Sequence, residues 1–217
     1  MRPKKQNWTN KFLNQEFHFK LKINNEKKLD VKNKTILEIG HGKGFFILKS
    51  AFLKKNYNFL GIEKNAIIFA YALRNIYLFE QENNFKFQNL KILNIDAKQL
   101  KKYFNKACFE EIILNYPDPW PKKRHQKRRL TSLEFIKVYE KILKNKHFLI
   151  LKTDQENLWS FSATCFEKRN WKIIKKEKLL NNLSVDSNNI ISNYQQKLKP
   201  KYYFYLKVQL NLKNENL

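Results

Sequence analysis

Five apolar segments alternate with segments of helical periodicity, and this alternation constrains the fold more than any other feature of the sequence. The apolar segments span residues 34–39, 57–62, 90–95, 110–115 and 147–152. Their apolar residues are mostly consecutive, which is typical of strands covered on both faces. Apolar residues recur at helical spacing at 44–55, 64–82, 130–144 and 155–169. Strands that alternate with helices in this way predict βαβ units and a parallel sheet.

The pattern changes after residue 170, where two strand-like segments follow one another without a helix between them. They span residues 171–178 and 201–210, and a polar loop rich in Asn and Ser at 181–193 separates them. A hairpin-like end on a parallel sheet is typical of the Rossmann-like class I methyltransferase fold. We therefore predict an α/β protein with a mostly parallel seven-stranded sheet, helices on both faces and an antiparallel C-terminal strand.

The length of 217 residues fits one domain. We expect a single domain at 34–210, preceded at 1–33 by a basic N-terminal extension that contributes to the binding site. Residues 211–217 are expected to form a frayed tail. The two cysteines, Cys108 and Cys165, and the four histidines lack metal-ligand spacing, so no metal is expected.

The charge of the chain favours a polyanionic partner. Lys and Arg number 44 against 19 Asp and Glu, which gives a net charge of +25. An excess of this kind is typical of proteins that bind nucleic acid. No apolar run approaches the ~18–20 residues of a membrane helix, and no apolar segment follows the basic N-terminus as in a secretory signal. We therefore expect a cytoplasmic protein without a membrane partner.

Three of the four glycines in the chain, Gly40, Gly42 and Gly44, lie within five positions where the first strand should meet the first helix. Glycine is needed where φ is positive or where a ligand must approach the backbone. In an open α/β sheet this join lies at the carboxyl edge of the strands, where ligands bind. We therefore predict a cofactor cradle lined by Gly40 and Gly42, in preference to a tight turn without a ligand.

Acidic residues at three consecutive strand ends narrow the choice of cofactor. Glu38 precedes the glycines, Glu63 ends the second predicted strand and Asp96 ends the third. The G-x-G-x-G spacing departs from the dinucleotide pattern G-x-G-x-x-G. S-adenosylmethionine suits the three carboxylates, because its amino and sulfonium groups are cationic and its ribose and adenine supply hydrogen-bond donors. Each acid taken alone is equally compatible with a helix cap or a surface position.

A second dense segment, NYPDPWPKKRHQKRRL at 115–130, follows the fourth predicted strand and contains three of the five prolines. Because proline fixes its own φ and restrains the residue before it, we expect a stiff loop around Asp118. The basic residues that follow suit phosphate binding, although charge runs are often only solvated surfaces. They are Lys122, Lys123, Arg124, Lys127, Arg128 and Arg129.

This segment resembles the signature N-F-x-D-P-W-P-K-K-R-H-x-K-R-R of the bacterial tRNA (guanine-N7-)-methyltransferase family, with Tyr116 in place of phenylalanine. The resemblance covers nearly the whole chain. NWTNKFL at 7–13 is similar to the family's W-x-x-x-F-L, EIGHGKG at 38–44 to its E-I-G-x-G-x-G, and LKTD at 151–154 to its K-T-D. The family pattern T-x-Y-E becomes Ser192, Asn193, Tyr194 and Gln195.

The resemblance implies an enzyme that transfers methyl from S-adenosylmethionine to N7 of a guanine in tRNA, at nucleotide 46 of the variable loop. It implies cofactor contacts at Glu38, Glu63, Asp96 and Asp118. It implies RNA contacts along the six residues Arg124, His125, Gln126, Lys127, Arg128 and Arg129. Substrate contacts are implied at Lys122, Asp154, Ser192, Asn193, Tyr194 and Gln195, the last of which stands where the family has glutamate.

Methylation at N7 requires that the enzyme position the guanine against the methyl group and stabilise the charge that forms on the purine. Guanine N7 has a free lone pair and no proton to lose, so no strong general base is required. We expect Asp118 to be the catalytic carboxylate, with Asp154 as second choice, and Lys122 to hold a phosphate or the base O6.

Two alternatives stay open: an adenine-N6 amino-methyltransferase, whose Pro-Pro-aromatic run is missing here, and a basic RNA-binding protein that has lost catalysis. The sequence is equally compatible with a monomer and a homodimer.

Overall fold

A computed structural model describes residues 4–23, 27–180 and 199–211. Seven strands form one sheet in the order β3-β2-β1-β4-β5-β7-β6. Neighbouring strands from β1 to β5 pair in parallel, whereas β7 runs antiparallel to both β5 and β6. The strands are β1 Thr35–Ile39, β2 Asn58–Ile62, β3 Leu90–Leu93, β4 Phe109–Asn115, β5 Leu143–Thr153, β6 Lys172–Leu180 and β7 Tyr202–Gln209. The predicted sheet is therefore confirmed.

Helices cover both faces of the sheet, as predicted. Within the described residues they are α1 Thr9–Asn14, α2 Phe45–Leu53, α3 Ala66–Glu82, α4 Leu100–Tyr103, α5 Leu133–Ile142 and α6 Glu156–Glu167, with 3₁₀ segments at Ala97–Gln99 and Lys123–Arg128. Successive strand residues point to opposite faces of the sheet, so each strand contributes side chains to two hydrophobic cores. Ile36 packs in the cluster that includes α2 and α3, and Leu37 packs in the cluster that includes α5 and α6. No helix of the described ranges is long and apolar enough to cross a membrane.

The helix predicted at 130–144 is wrong at both ends. It begins at Leu133 and ends at Ile142, and the chain continues directly into β5, whose first residue Leu143 pairs with Phe109 of β4. A short apolar run fits a helix or a buried strand equally well, and here the sheet partner decides. The third strand also ends earlier than predicted, at Leu93.

The N-terminal region packs against the edge strand β3. The backbone N–H of Ile92 donates to the Phe19 carbonyl at 2.8 Å, and the N–H of Leu21 donates to the Ile92 carbonyl at 2.9 Å. Thr9 and Phe19 are fully buried. Because an uncovered edge strand invites unwanted pairing, this segment protects the sheet. Residues 9–21 are therefore part of the same folded body as the domain predicted from residue 34.

Candidate active site

The glycine segment lies between β1 and α2, and its three glycines have φ of +75°, +59° and +81°. This left-handed conformation favours glycine, so the predicted positive φ is confirmed. A Cβ placed on Gly40 or Gly42 meets nothing within 4 Å, whereas one on Gly44 lies 3.1 Å from the Ala72 Cβ. Gly40 and Gly42 therefore border open space suited to a ligand, and Gly44 allows α2 to approach α3 closely.

The fourth glycine, Gly61 in β2, makes room for His41. A Cβ on Gly61 would lie 2.7 Å from His41 Cδ2 and 2.8 Å from Ile47 Cδ1. His41 is 5% exposed, and burial lowers its pKa to about 4. Its Nδ1 lies 3.0 Å from the Gly42 carbonyl, so the neutral ring donates from Nδ1. The N–H groups of Gly40 and His41 both donate to the Ile62 carbonyl. A buried histidine thus fastens the glycine loop to β2.

Sequence reasoning missed His41 as a structural residue of the loop. The available signal was Gly61 itself, since an isolated glycine inside a strand often marks the close approach of another group.

Glu38 near the end of β1 is buried against Asn115, the last residue of β4. Asn115 Nδ2 donates to Glu38 Oε1 at 2.9 Å. Desolvation raises the pKa of Glu38 to about 7, although the hydrogen bond from Asn115 and the charge of Lys152 oppose this shift. Glu38 Oε2 and Asn115 Oδ1 are buried and have no hydrogen-bond partner within the structure that is described. Buried acceptors without donors are costly, so this pair is ready to receive donors from a ligand.

Glu63 directly follows β2 and is attached to the glycine loop. Its Oε2 accepts from the Gly42 N–H at 3.3 Å, and its Oε1 accepts from the Asn65 N–H at 2.9 Å. Burial raises the pKa of Glu63, and the two backbone donors counteract part of that shift. The carboxylate is thereby fixed beside the glycine loop.

Asp96 lies three residues beyond β3 rather than at its end. It caps the 3₁₀ segment Ala97–Gln99: its Oδ1 accepts from the Lys98 N–H at 2.9 Å, and Gln99 Oε1 accepts from the Asp96 N–H at 3.1 Å. The helix-cap alternative is therefore confirmed for this residue. A contact between Asp96 and the cofactor stays a prediction.

The loop that follows β4 contains backbone strain. Tyr116 has φ of +49° and Trp120 has φ of +44°, and each precedes a proline. Bulky residues seldom adopt positive φ, and such strain persists only where surrounding contacts impose it. The Tyr116 N–H donates to the Lys152 carbonyl of β5 at 2.8 Å, which holds the start of the loop. Asp118 is exposed in its middle.

Arg129 holds the other end of this loop and differs from the basic residues before it. It is only 4% exposed, its Nε donates to the Pro119 carbonyl at 2.9 Å, and its Nη2 donates to the Trp120 carbonyl at 3.1 Å. The guanidinium also lies 4.3 Å from the centre of the Phe161 ring. A cation committed to loop carbonyls in this way is poorly placed for a phosphate, so the geometry does not support the predicted RNA contact of Arg129.

The other basic residues of the segment are exposed: Lys122, Lys123, Arg124, Lys127 and Arg128. His125 and Gln126 are half-buried within the 3₁₀ segment. Arg128 lies 5.0 Å from the centre of the Trp120 ring, and His125 meets the same ring edge-on at 5.6 Å. Trp120 therefore connects the loop to the basic surface.

The remaining predicted substrate residues fall in two places. Asp154 directly follows β5 and is half-buried, at the same sheet edge as Asn115. Ser192, Asn193, Tyr194 and Gln195 lie outside the described residues. In the ranges that are described, no group of three His, Cys, Asp or Glu side chains could hold a metal ion.

The strand order and the glycine loop after β1 define the Rossmann-like fold of class I methyltransferases. Solved structures with this fold agree. The 16S rRNA (adenine(1408)-N(1))-methyltransferase from Catenulisporales acidiphilia has a TM-score of 0.62 at 10% identity, with 85% of this chain and 90% of that chain covered. A SAM-dependent methyltransferase from Aquifex aeolicus has a TM-score of 0.56 at 11% identity, with 83% and 84% covered. Identities this low establish the fold alone.

Sequence relatives give the family. A family model described as "Putative methyltransferase" matches residues 32–202. The tRNA (guanine-N(7)-)-methyltransferase of Mycoplasma mycoides subsp. mycoides is 41% identical over 206 residues, which cover 91% of this chain and 92% of the relative. The enzyme of the same name from a Geobacillus species is 36% identical over 165 residues, or 76% and 72% of the two chains. The chain therefore belongs to the tRNA (guanine-N(7)-)-methyltransferase family.

Proposed function

We propose that the chain transfers the methyl group of S-adenosylmethionine to N7 of a guanine in tRNA, at nucleotide 46 of the variable loop. One observation carries this conclusion: the signature segment 115–130 leaves the carboxyl end of β4, next to β1 and the glycine loop that follows it. The signature segment and the glycine loop thus border one edge of the sheet, where ligands of open α/β sheets bind, and this supports a substrate site beside a cofactor site. The activity named for the relatives supports the same reaction.

The cofactor side consists of Gly40, Gly42, Glu38, Glu63 and Asp96. Open space in front of the two glycines and an unpartnered buried oxygen on Glu38 fit a cationic ligand. Glu63 keeps lone pairs for the ribose hydroxyls beyond those that accept from the backbone. S-adenosylmethionine, when bound, supplies a methyl group already activated by its sulfonium.

Asp118 is the carboxylate assigned to stabilise the reaction, and it also stays a predicted cofactor contact. Methylation at N7 leaves a positive charge on the purine, and a fixed carboxylate lowers the energy of that charge. The loop that carries Asp118 is held at Tyr116 and by Arg129, so the backbone at Asp118 is positioned before substrate binds. Asp154, at the end of the neighbouring strand β5, is the second choice for this role.

The tRNA side consists of the exposed basic surface after this loop. Lys122 is assigned to a phosphate or to the guanine O6, and Arg124, Lys127 and Arg128 are assigned to phosphates. Contacts of this kind position the RNA and make its affinity depend on salt. His125 and Gln126 complete the segment, whereas Arg129 supports the loop from inside. Ser192, Asn193, Tyr194 and Gln195 stay predicted substrate contacts. The proposed place of action is the cytoplasm.

The test is incubation of the protein with unmodified bulk tRNA and labelled S-adenosylmethionine, followed by nucleoside analysis. We expect 7-methylguanosine, and we expect it to disappear when nucleotide 46 is changed from guanine to adenine in a single tRNA transcript. N6-methyladenosine as the product would support the adenine-specific alternative. Binding of cofactor and tRNA without any labelled nucleoside would support the binding protein. The mass of the protein in solution would decide between a monomer and a homodimer.

A further inference from the structure

We propose that Asn115 and Glu38 together accept hydrogen bonds from the α-ammonium group of S-adenosylmethionine, which makes Asn115 a cofactor-binding residue. This assignment rests on the proposed function, because it takes S-adenosylmethionine as the ligand. It adds a residue that the sequence predictions do not contain, and it assigns Glu38 to one group of the cofactor.

The sheet register brings the two side chains together. Glu38 of β1 stands opposite Ile113 of β4, and Asn115 lies two residues further along the same face. Asn115 Nδ2 donates to Glu38 Oε1 at 2.9 Å. This bond fixes the orientation of the amide, since only its nitrogen can donate. Asn115 Oδ1 is therefore an acceptor that must find its donor elsewhere.

Both remaining acceptors of the pair lack a donor in the described structure. Glu38 Oε2 and Asn115 Oδ1 are buried and unpartnered. A ligand that satisfies both must bring at least two donors, and beside a desolvated carboxylate a positive charge is favoured over a neutral group. An ammonium has three N–H donors and one positive charge, so it meets both requirements. The adenine amine of the cofactor meets only the first.

Lys152 is the nearby cation of this chain that could itself donate to Glu38 Oε2 and Asn115 Oδ1 in place of a ligand. It stands in register with Asn115 on β5, and its charge acts on Glu38. Its Nζ lies 5.9 Å from the centre of the Phe46 ring, and neither free acceptor of the pair has a bond to it. Lys152 therefore acts on Glu38 through charge and leaves both hydrogen-bonding positions open.

Because Glu38 is buried, ligand binding at this site should also be linked to the release of protons. Desolvation raises the pKa of Glu38 to about 7, while Lys152 on β5 lowers it and Glu63 after β2 raises it. A cation bound beside Glu38 favours the ionised form, so the pKa falls on binding. Binding near pH 7 must then release part of a proton, and affinity must weaken as the pH falls below 7.

The first experiment compares two ligands by calorimetry. S-adenosylhomocysteine retains the α-ammonium, and 5′-methylthioadenosine retains the adenosine but lacks the amino-acid portion. In Asn115→Leu we expect the affinity for S-adenosylhomocysteine to fall about tenfold or more, as for a lost hydrogen bond to a charged group. The affinity for 5′-methylthioadenosine should change less than about twofold, which also serves as the control for folding.

Three outcomes would overturn the assignment. Equal weakening of both ligands would mean that Asn115 only shapes the sheet edge, and unchanged affinity for S-adenosylhomocysteine would mean that its oxygen meets no ligand donor. In the control variant Lys152→Met, a loss as large as that of Asn115→Leu would mean that the pair acts through Lys152. By contrast, a wild-type protein that binds neither S-adenosylhomocysteine nor S-adenosylmethionine would contradict the proposed function itself.

The second experiment measures protons rather than affinity. Binding of S-adenosylhomocysteine at pH 7 is measured in two buffers of different ionisation enthalpy, and we expect the release of about half a proton, as for a group that titrates there. The neutral 5′-methylthioadenosine should release none, and Glu38→Gln should abolish the release. Absence of proton release in the wild type would contradict an ammonium beside Glu38.

Discussion

The two loops that border the site reach left-handed backbone conformations in opposite ways. In the glycine loop, Gly40, Gly42 and Gly44 all have positive φ, and glycine adopts it at little steric cost. In the proline loop the same conformation falls on Tyr116 and Trp120, where it costs strain energy. The conformation of the glycine loop is therefore accessible to its own residues, although bonds to Ile62 and Glu63 also hold it. The conformation of the proline loop is imposed by bonds from Arg129 and β5.

This difference matches the tasks proposed for the two loops. The glycine loop must leave open space for a cofactor, and missing side chains provide that space. The proline loop must hold the charged Asp118 at a fixed position, and prolines and buried bonds supply the rigidity. The comparison predicts that a single added side chain in the glycine loop abolishes cofactor binding. The proline loop should instead lose its function when a residue that holds it from outside, such as Arg129, is replaced.

The largest effect is expected for Gly42→Val. A Cβ at this position has room, so the damage comes from φ of +59°, which a β-branched residue resists, and from the isopropyl group inside the cradle. We expect the affinity for S-adenosylhomocysteine to fall about 100-fold or more, given a strain of ~1–3 kcal/mol plus the lost space. Calorimetry measures this, with the thermal midpoint as a check of the fold. Unchanged affinity in a folded Gly42→Val variant would contradict the predicted cofactor cradle. The affinity of Gly42→Ala should lie between those of the wild type and Gly42→Val.

Next in size is Asp118→Asn, which keeps the shape of the proline loop and removes its charge. We expect kcat on tRNA to fall by ~10²-fold, as for the loss of one preorganised electrostatic partner. The matched variant Asp154→Asn should have the smaller effect if Asp118 carries the role. The reverse order of the two losses would transfer the catalytic role to Asp154.

The sequence predicts the glycine loop almost completely. Glycine is scarce elsewhere in the chain, so Gly40, Gly42 and Gly44 stand out, and their residue type makes a positive φ accessible. The order of strands and helices is also predictable, because apolar periodicity is a local signal. Helix ends are less predictable. The change from α5 to β5 at Leu143 depends on pairing with β4, and local periodicity carries no information about a partner strand.

The proline loop is only partly predictable, because its conformation is held from a distance. Its prolines indicate stiffness, yet a residue before proline is expected in an extended conformation, and Tyr116 and Trp120 depart from that rule. Arg129 belongs to a run of similar basic residues, and only its burial separates it from them. The pairing of Glu38 with Asn115 likewise depends on the register between β1 and β4.

A smaller effect should follow from Arg129→Met, which removes the inner support of the proline loop. The variant loses two charge-assisted hydrogen bonds to loop carbonyls but keeps most of the buried side-chain volume. We expect kcat to fall about tenfold, since Asp118 loses its fixed position, and the free energy of unfolding to fall by ~2–3 kcal/mol. Binding of S-adenosylhomocysteine should fall by less than kcat does, because Asp118 is the predicted cofactor contact on the proline loop and the others lie elsewhere. An equal loss of cofactor affinity would show that the two loops are not independently supported.

The smallest effect, and the sharpest contrast with Arg129, is expected for the exposed pair Arg124→Met and Arg128→Met. These guanidinium groups lie on the surface of the basic segment, and Arg128 stacks near Trp120. If both bind phosphates, the double variant should raise KM for tRNA and leave kcat nearly unchanged. The slope of log K against log salt should then become shallower by about 0.7–0.9 for each phosphate that is no longer neutralised. Arg129→Met should leave that slope unaltered, because its guanidinium is engaged by Pro119 and Trp120. If the slope instead changed in Arg129→Met and not in the double variant, the buried arginine would be the phosphate ligand, and the exposed arginines would be only solvated surface.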